Sequence, residues 1–431
     1  MLTAAYPYLP GEQFIEEEIR YWSRQPGLEL VVMPLTANGE PRPVPANVHV
    51  DLSLARQRKA APWLRYFMRA SVSGIFWKEL AWVVRHKGLS PSCLARAGYA
   101  TANLFRTAAA LVQPFRQDGG FRLAYCYWND TWSLAPVLLK RSGLLPRMIT
   151  RTHNFELYET DAPHNYIPLK RQFVGDIDRF FAISSQGARY LQDNFDVPAA
   201  KTRISRLGVT LPDCLTATSA DGDLHVASIS YCFDYKRVDV IIDTLARLAQ
   251  EHPELSLRWT HIGDGPLYGA LRQMAQRKLG FPNLQWEMRG QMANADVRKF
   301  LGSEPVDLLL NASKSEGVPV SVMEAMSHGI PAIAPDVGGL AELVSDGCGR
   351  LVAGNPAPSV LATAVDQMLS CLKQAPLRQR AREKINHDFS AARNYPMFVK
   401  EVLELAALAP QPGRDAIQPS PIHAHTSSLS D

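Results

Sequence analysis

The stretch VDLLLNASKSEGVPVSVMEAMSHGIPAIAP, residues 306–335, decides the fold. The apolar run at 306–311 reads as a buried strand. A polar loop, NASKSEG, leads into residues 319–328, whose apolar positions recur every three or four residues, and 330–335 is a second apolar run. Pro319 suits a first helical turn, Gly329 a helix stop, and Pro331 forbids continuation. Two continuous apolar runs joined by one helix form the unit of a parallel sheet covered on both faces.

The pattern extends outward in both directions. HVASISY (225–231) and LRWTHIG (257–263) are further strands. VDVIIDTLARLAQE (238–251), PLYGALRQMAQRKL (266–279) and NADVRKFLG (294–302) are the helices between them. In the N-terminal half ELVVMPL (29–35), FRLAYCYW (121–128), RMITRTHNF (147–155) and RFFAISS (179–185) read as buried strands, with a helix-rich insertion at roughly 55–115. RLGVTLP (206–212), followed by a polar stretch, reads as a linker. The chain's 431 residues exceed one ordinary core, so the expected class is α/β with two domains. Ligands of such sheets sit beyond the carboxyl ends of the strands, where HIGDG, NASKSEG and APDVGG would cluster.

Composition narrows the function classes. Six cysteines lie scattered without metal-ligand spacing, which predicts free thiols, a reducing compartment and no metal site. The N-terminus lacks the pattern of a signal peptide, and no apolar run reaches membrane-spanning length, so a soluble cytoplasmic chain is expected. GDGPLYG lacks the spacing of a dinucleotide-binding loop, which disfavours a dehydrogenase. Charge is uneven. Between 53 and 122 twelve Lys/Arg stand against two acidic residues, a local net of +10 against +4 for the whole chain.

Glu316 and Glu324 stand with seven residues between them, one in the loop and one inside the helix. A rise of 1.5 Å per residue puts the two carboxyl groups on the order of 10 Å apart. That is too wide to share a proton or a metal ion, and wider than the carboxylate pairs of hydrolases. It suits the two ends of an extended ligand whose phosphate rests on the helix N-terminus between them. Glu324, on a mostly apolar stripe, requires a polar partner such as the vicinal hydroxyls of a ribose.

The run EGVPVSVMEAMSHGIPAIAPDVGGLAELV resembles the E-x7-E signature of the retaining glycosyltransferases of the GT-B fold, the glycosyl transferases group 1. RLGV (206–209), KRVDVIIDTLARL (236–248), IGDGPL (262–267) and VDLLLNASKSEG (306–317) match it in order. Upstream, YPYLPGEQFIEEEI (6–19), YCYWNDTWSLA (125–135) and RTHNFELYE (151–159) resemble the bacterial branch that builds exopolysaccharide, capsule or lipopolysaccharide.

The resemblance implies two Rossmann-like domains facing a cleft: 1–212 for the acceptor and 213–393 for the donor. A crossover helix at 394–408 would return to the first domain, and 409–431 would be a disordered tail. It implies a UDP- or GDP-sugar donor, no cofactor or metal, and a saccharide or lipid-linked saccharide acceptor. It assigns the ribose to Glu324, the transferred sugar to Glu316 and His153, and the diphosphate to Lys236, the Gly317–Val318 backbone and Gly11. Where relatives usually carry an arginine this chain has Tyr231, so either Arg237 supplies a second positive charge or diphosphate binding is weaker. Another GT-B enzyme, such as an epimerase or phosphorylase, and a non-catalytic nucleotide-sugar-binding protein are the competing readings.

The basic segment 56–88 interleaves arginines with Trp63, Tyr66, Phe67, Phe76, Trp77 and Trp82. It reads either as a surface that meets anionic lipid or as core-packed helices with solvated basic faces. Nucleic acid is a poorer fit, because the aromatics follow helical spacing and no nucleic-acid motif is present.

Overall fold

The computed structural model describes residues 1–9, 11–117 and 120–408. Within them the chain winds two parallel sheets in succession. The first contains β1 (Leu2–Thr3), β2 (Leu30–Pro34), β3 (Val48–Val50), β4 (Leu123–Cys126), β5 (Arg147–Thr152), β6 (Arg179–Ala182) and β7 (Thr202–Ile204), in the order β3-β2-β1-β4-β5-β6-β7. The second contains β8 (Asp223–Ile229), β9 (Ser256–Ile262), β10 (Leu284–Met288), β11 (Leu308–Leu310), β12 (Ala332–Pro335) and β13 (Gly349–Val352), in the order β10-β9-β8-β11-β12-β13. Every strand pair is parallel. In each sheet the winding direction reverses once, between β1 and β4 and between β8 and β11. Loops that leave neighbouring strands diverge at such a point and open a crevice beyond the carboxyl ends.

The central strands are those with continuous apolar runs; β11 and β12 are buried throughout. Sequence periodicity does not reveal β1, β3, β7, β10 and β13. The last four are the outer strands of their sheets and only partly buried, so they carry no unbroken apolar run. β1 is two residues long.

The crossover from β3 to β4 is enlarged into four helices, Ser53–Ala60, Trp63–Ser71, Gly74–Lys87 and Pro91–Arg116. Ser90 caps the last by accepting from the Cys93 amide at 3.4 Å, with Pro91 in the first turn. Its middle, Ala100–Ala108, is buried on every side. Part of the segment's positive charge is therefore internal. Arg58 donates to Thr107 Oγ1 at 2.7 Å and Asn103 Oδ1 at 3.0 Å, and Arg106 lies 4.4 Å above the Trp63 ring.

Two strands of chain connect the halves side by side. Val209 and Ser390 form an isolated parallel bridge, and a Cβ on Gly208 would meet Ala391 Cα at 2.5 Å. The helix Ala391–Ala407 then lies on the first sheet. Phe398 packs against Trp22, Tyr125 and Phe181 with ring centroids 5.8, 5.4 and 4.9 Å away. Beside it the Arg151–Glu18 ion pair is wholly buried, with the guanidinium 4.2 Å from the Phe398 ring. The segment 409–431 lies outside the described residues. Among the described residues no helix is long and apolar enough to cross a membrane.

Candidate active site

Both switch points open into one cleft of about 520 Å³, a size that holds a small-molecule ligand. Its first-domain wall comes from the loops after β1, β4 and β5, which supply Gly11, Trp128 and His153. Its second-domain wall comes from the loops after β8 and β11 and the helix that follows, with Lys236, Glu316–Ser321 and Glu324. Across the gap Asn154 Nδ2 donates to Ser315 Oγ at 2.8 Å. Glu342 accepts from the Ser185 amide at 2.5 Å and from Arg206 at 2.8 Å.

The helix of the signature runs Val320–Ser327, one residue inside the expected span at each end, with Pro319 as its N-cap and, among the described residues, no side-chain cap on its first amides. Val320 and Ser321 line the cleft at that uncapped end, which carries the helix's positive pole. Beneath the preceding loop runs the turn of Gly338 and Gly339, whose Gly339 amide donates to Gly317 O at 2.6 Å. Gly338 has φ +55°, and a Cβ there would lie 1.7 Å from Glu316 O, so the turn admits only glycine.

Glu316 is buried, and its Oε1 accepts from Lys236 Nζ at 2.6 Å and from Asn311 Nδ2 at 3.4 Å. These partners come from the β8 and β11 loops, which are neighbours at the switch point although far apart in sequence. Glu324 lies one helical turn and more along. Burial pushes its carboxyl up to about 7, against a 2.8 Å hydrogen bond from Asn294 and the Arg298 guanidinium 3.9 Å away. An acid with that environment takes up and releases its proton near neutrality, and gains when a ligand hydroxyl donates to it.

His153 faces them from the other wall. Its ring stacks on Tyr127 and leans on Trp128, with centroids 4.9 and 4.5 Å away. Glu156 Oε1 accepts from both the His153 amide, at 2.7 Å, and ring Nδ1, at 3.0 Å, which leaves buried Nε2 without a partner among the described residues. Burial would raise the Glu156 carboxyl, yet the His153 hydrogen bond and the charges of His153 and Lys170 hold it below its ordinary value. Lys170, itself lowered to about 8 by burial, donates to Glu156 O.

Seven of the eight expected residues thus line one cleft: Gly11, His153, Lys236, Glu316, Gly317, Val318 and Glu324. Arg237 does not, and the expectation of a second cation from it is corrected. Its backbone turns left-handed at φ +52°, and its side chain leaves for Asn355 and for Asp239, 3.4 Å away. Tyr231 does line the cleft, and Lys236 is the one Lys or Arg among the described residues that do.

Three supporting groups escaped sequence reasoning. Glu156 lies three residues after His153, the only hint of their pairing. Asn294 carries no signal. Glu12 has its carboxylate saturated by the amides of Ala4, Ala5 and Tyr6 at 3.0, 2.6 and 2.5 Å and by Trp128 Nε1 at 2.5 Å, fixing the Gly11 loop to the Trp128 wall.

Two Rossmann-like domains over a shared cleft define the GT-B architecture. Residues 224–371 match the family model described as glycosyl transferases group 1. The chain is 27% identical over 314 residues to the putative colanic acid biosynthesis glycosyltransferase WcaL of Escherichia coli K12, spanning 69% of this chain and 73% of that one. It is 25% identical to the amylovoran biosynthesis glycosyltransferase AmsK of Erwinia amylovora, over 49% of this chain and 52% of that one. Among solved structures, the lipopolysaccharide outer core galactosyltransferase WaaB superposes with a TM-score of 0.62 at 15% identity, covering 94% and 97% of the two chains. Anabaena HepE in complex with UDP and glucose gives 0.62 at 17%, covering 94% and 98%. The chain has the GT-B fold, and its residues 224–371 are similar to the group 1 glycosyl transferases.

Proposed function

We propose that this enzyme moves a sugar from a nucleotide-diphosphate donor to a saccharide hydroxyl during synthesis of a cell-surface polysaccharide or glycolipid, with retention of anomeric configuration. One observation carries the reading. A buried glutamate paired with half-buried Lys236 sits at an uncapped helix N-terminus, with a second buried glutamate farther along that helix and His153 opposite. The proposed order is ribose on Glu324, diphosphate on the helix end and Lys236, and sugar between Glu316 and His153. Solved neighbours hold UDP, which favours uridine over guanosine as the base. Relatives named for colanic acid and amylovoran synthesis favour a polysaccharide product, with a lipid-linked saccharide as the acceptor we infer. Six free cysteines suit a cytoplasmic site of action.

In the proposed step the bond from the anomeric carbon to the diphosphate oxygen breaks. The acceptor oxygen bonds to the same face of that carbon, and its proton passes to the departing diphosphate oxygen. Lys236 and the helix amides stabilise the charge that develops there, without a metal. Glu316, once ligand draws Lys236 to phosphate, is free to accept hydroxyls of the sugar.

The test is a UDP- and GDP-release assay over a panel of nucleotide sugars and saccharide acceptors, in the presence of EDTA. Acceptor-dependent release from one donor is expected from the wild type, with a loss of about a hundredfold or more in Glu316→Gln. Turnover of donor with no acceptor, or wild-type rates in the variant, would refute the reading.

A further inference from the structure

The helical insert presents an outward face that the cleft chemistry does not use. On Trp63–Ser71, Tyr66 and Ala70 turn inward, while Leu64, Phe67, Met68 and, just past the helix, Val72 turn to solvent. Leu64 is 71% exposed and Val72 82%. The next helix repeats the pattern with Trp77, Ala81 and Val84, four and three residues apart, and Leu89 follows at 77% exposure. Trp77 joins the two faces, since its Nε1 donates to Ser71 O at 2.8 Å while the ring remains 56% exposed. Outward apolar side chains at this spacing give each helix a second apolar stripe besides the one it packs inward.

The charge around that face has a single sign. Arg56, Lys59, Arg65, Arg69, Lys78 and Arg85 are all exposed. From 53 to 117 the one acidic residue is Glu79. It is buried, accepting from Tyr166 Oη at 2.6 Å, the Leu169 amide at 2.8 Å and Gln172 at 2.6 Å. We propose that these two helices form a docking surface for an anionic lipid bilayer, with Leu64, Phe67, Val72 and Trp77 entering the headgroup region and the arginines and lysines meeting lipid phosphates. A protein partner would ordinarily be met by an apolar centre with charges of both signs at its rim. Here cations interleave with the apolar residues and the two helices expose no carboxylate of their own, the arrangement that anionic headgroups complement.

The same scaffold reaches the cleft. Glu79 anchors the Gly74–Lys87 helix to residues 166–172, and Lys170 in that segment holds the Glu156 carbonyl of the His153 loop. A bilayer on the insert would therefore meet the acceptor domain. The surface itself stands apart from the donor assignments and is tested separately.

The full-length protein is sedimented with vesicles of phosphatidylcholine alone and of phosphatidylcholine with phosphatidylglycerol. The expected result is binding to the anionic vesicles only, weakened by added salt. It falls tenfold or more in Arg65→Glu/Arg69→Glu and in Leu64→Ser/Phe67→Ser/Val72→Ser, while both variants keep the wild-type melting shift with UDP. No binding to anionic vesicles, equal binding to neutral ones, or undiminished binding by both variants overturns the proposal. So does a wild-type dimer that the serine variant converts to monomer without lipid being bound.

Discussion

Glu324 carries the most specific chemical expectation at the residue scale. A carboxyl raised to about 7 by burial costs folding stability that is absent below its unfolded value and complete only above about 7. Ribose hydroxyls donating to it favour the ionised form, so nucleotide binding releases a proton wherever the empty site is protonated. UDP affinity is expected to weaken by about tenfold as pH falls from about 8 to about 6, and Glu324→Gln should flatten that dependence in a calorimetric pH series. His153 depends on Glu156 in a different way. Glu156→Gln keeps an acceptor but removes the charge that orients the imidazole, so kcat should drop by about a hundredfold with UDP affinity unchanged. A rate within twofold of wild type would show that the ring needs no such partner.

At the scale of elements, the site depends on a close approach that glycine alone permits. Gly338→Ala would push a methyl group into Glu316 O, so the loop bearing Glu316 and Gly317 must move. Donor turnover should fall with little change in melting temperature, because the strain falls on a loop at the cleft rather than in the core. The crossover helix is the opposite case. Phe398 fills a pocket among Trp22, Tyr125 and Phe181 and covers the Arg151–Glu18 pair. Phe398→Ala is expected to cost about 3–5 kcal/mol, read as a lower melting midpoint with UDP affinity retained in the folded fraction.

At the scale of the whole molecule, legibility followed burial. Strands inside both sheets, the two-residue β1 apart, announced themselves as apolar runs, and the alternation of strand and helix gave the parallel class without any contact being known. The outer strands did not, because a half-exposed strand such as Gly349–Val352 mixes its residues. The cleft was legible where one loop carried the chemistry, as in Glu316–Gly317. It was obscure where two distant loops meet: nothing in the sequence pairs Lys236 with Glu316, or Glu12 with Trp128, since topology alone brings them together. Arg237 shows the converse error, a plausible cation that a single left-handed residue turns away from the site. The charge of the insert was legible in amount but not in placement, since Arg58 and Arg106 are packed inside while Arg56, Lys59, Arg65, Arg69, Lys78, Arg85 and Arg116 remain outside.

The central claim is that two glutamates on one loop and helix divide the donor between them. Titrating UDP into the wild type, Glu324→Gln and Glu316→Gln tests it most directly. Removing the ribose partner should weaken UDP by about tenfold or more, roughly 1.4 kcal/mol, while Glu316→Gln should bind UDP within about threefold of wild type and fail in transfer. Equal loss of UDP affinity in both variants, or in neither, would contradict the division.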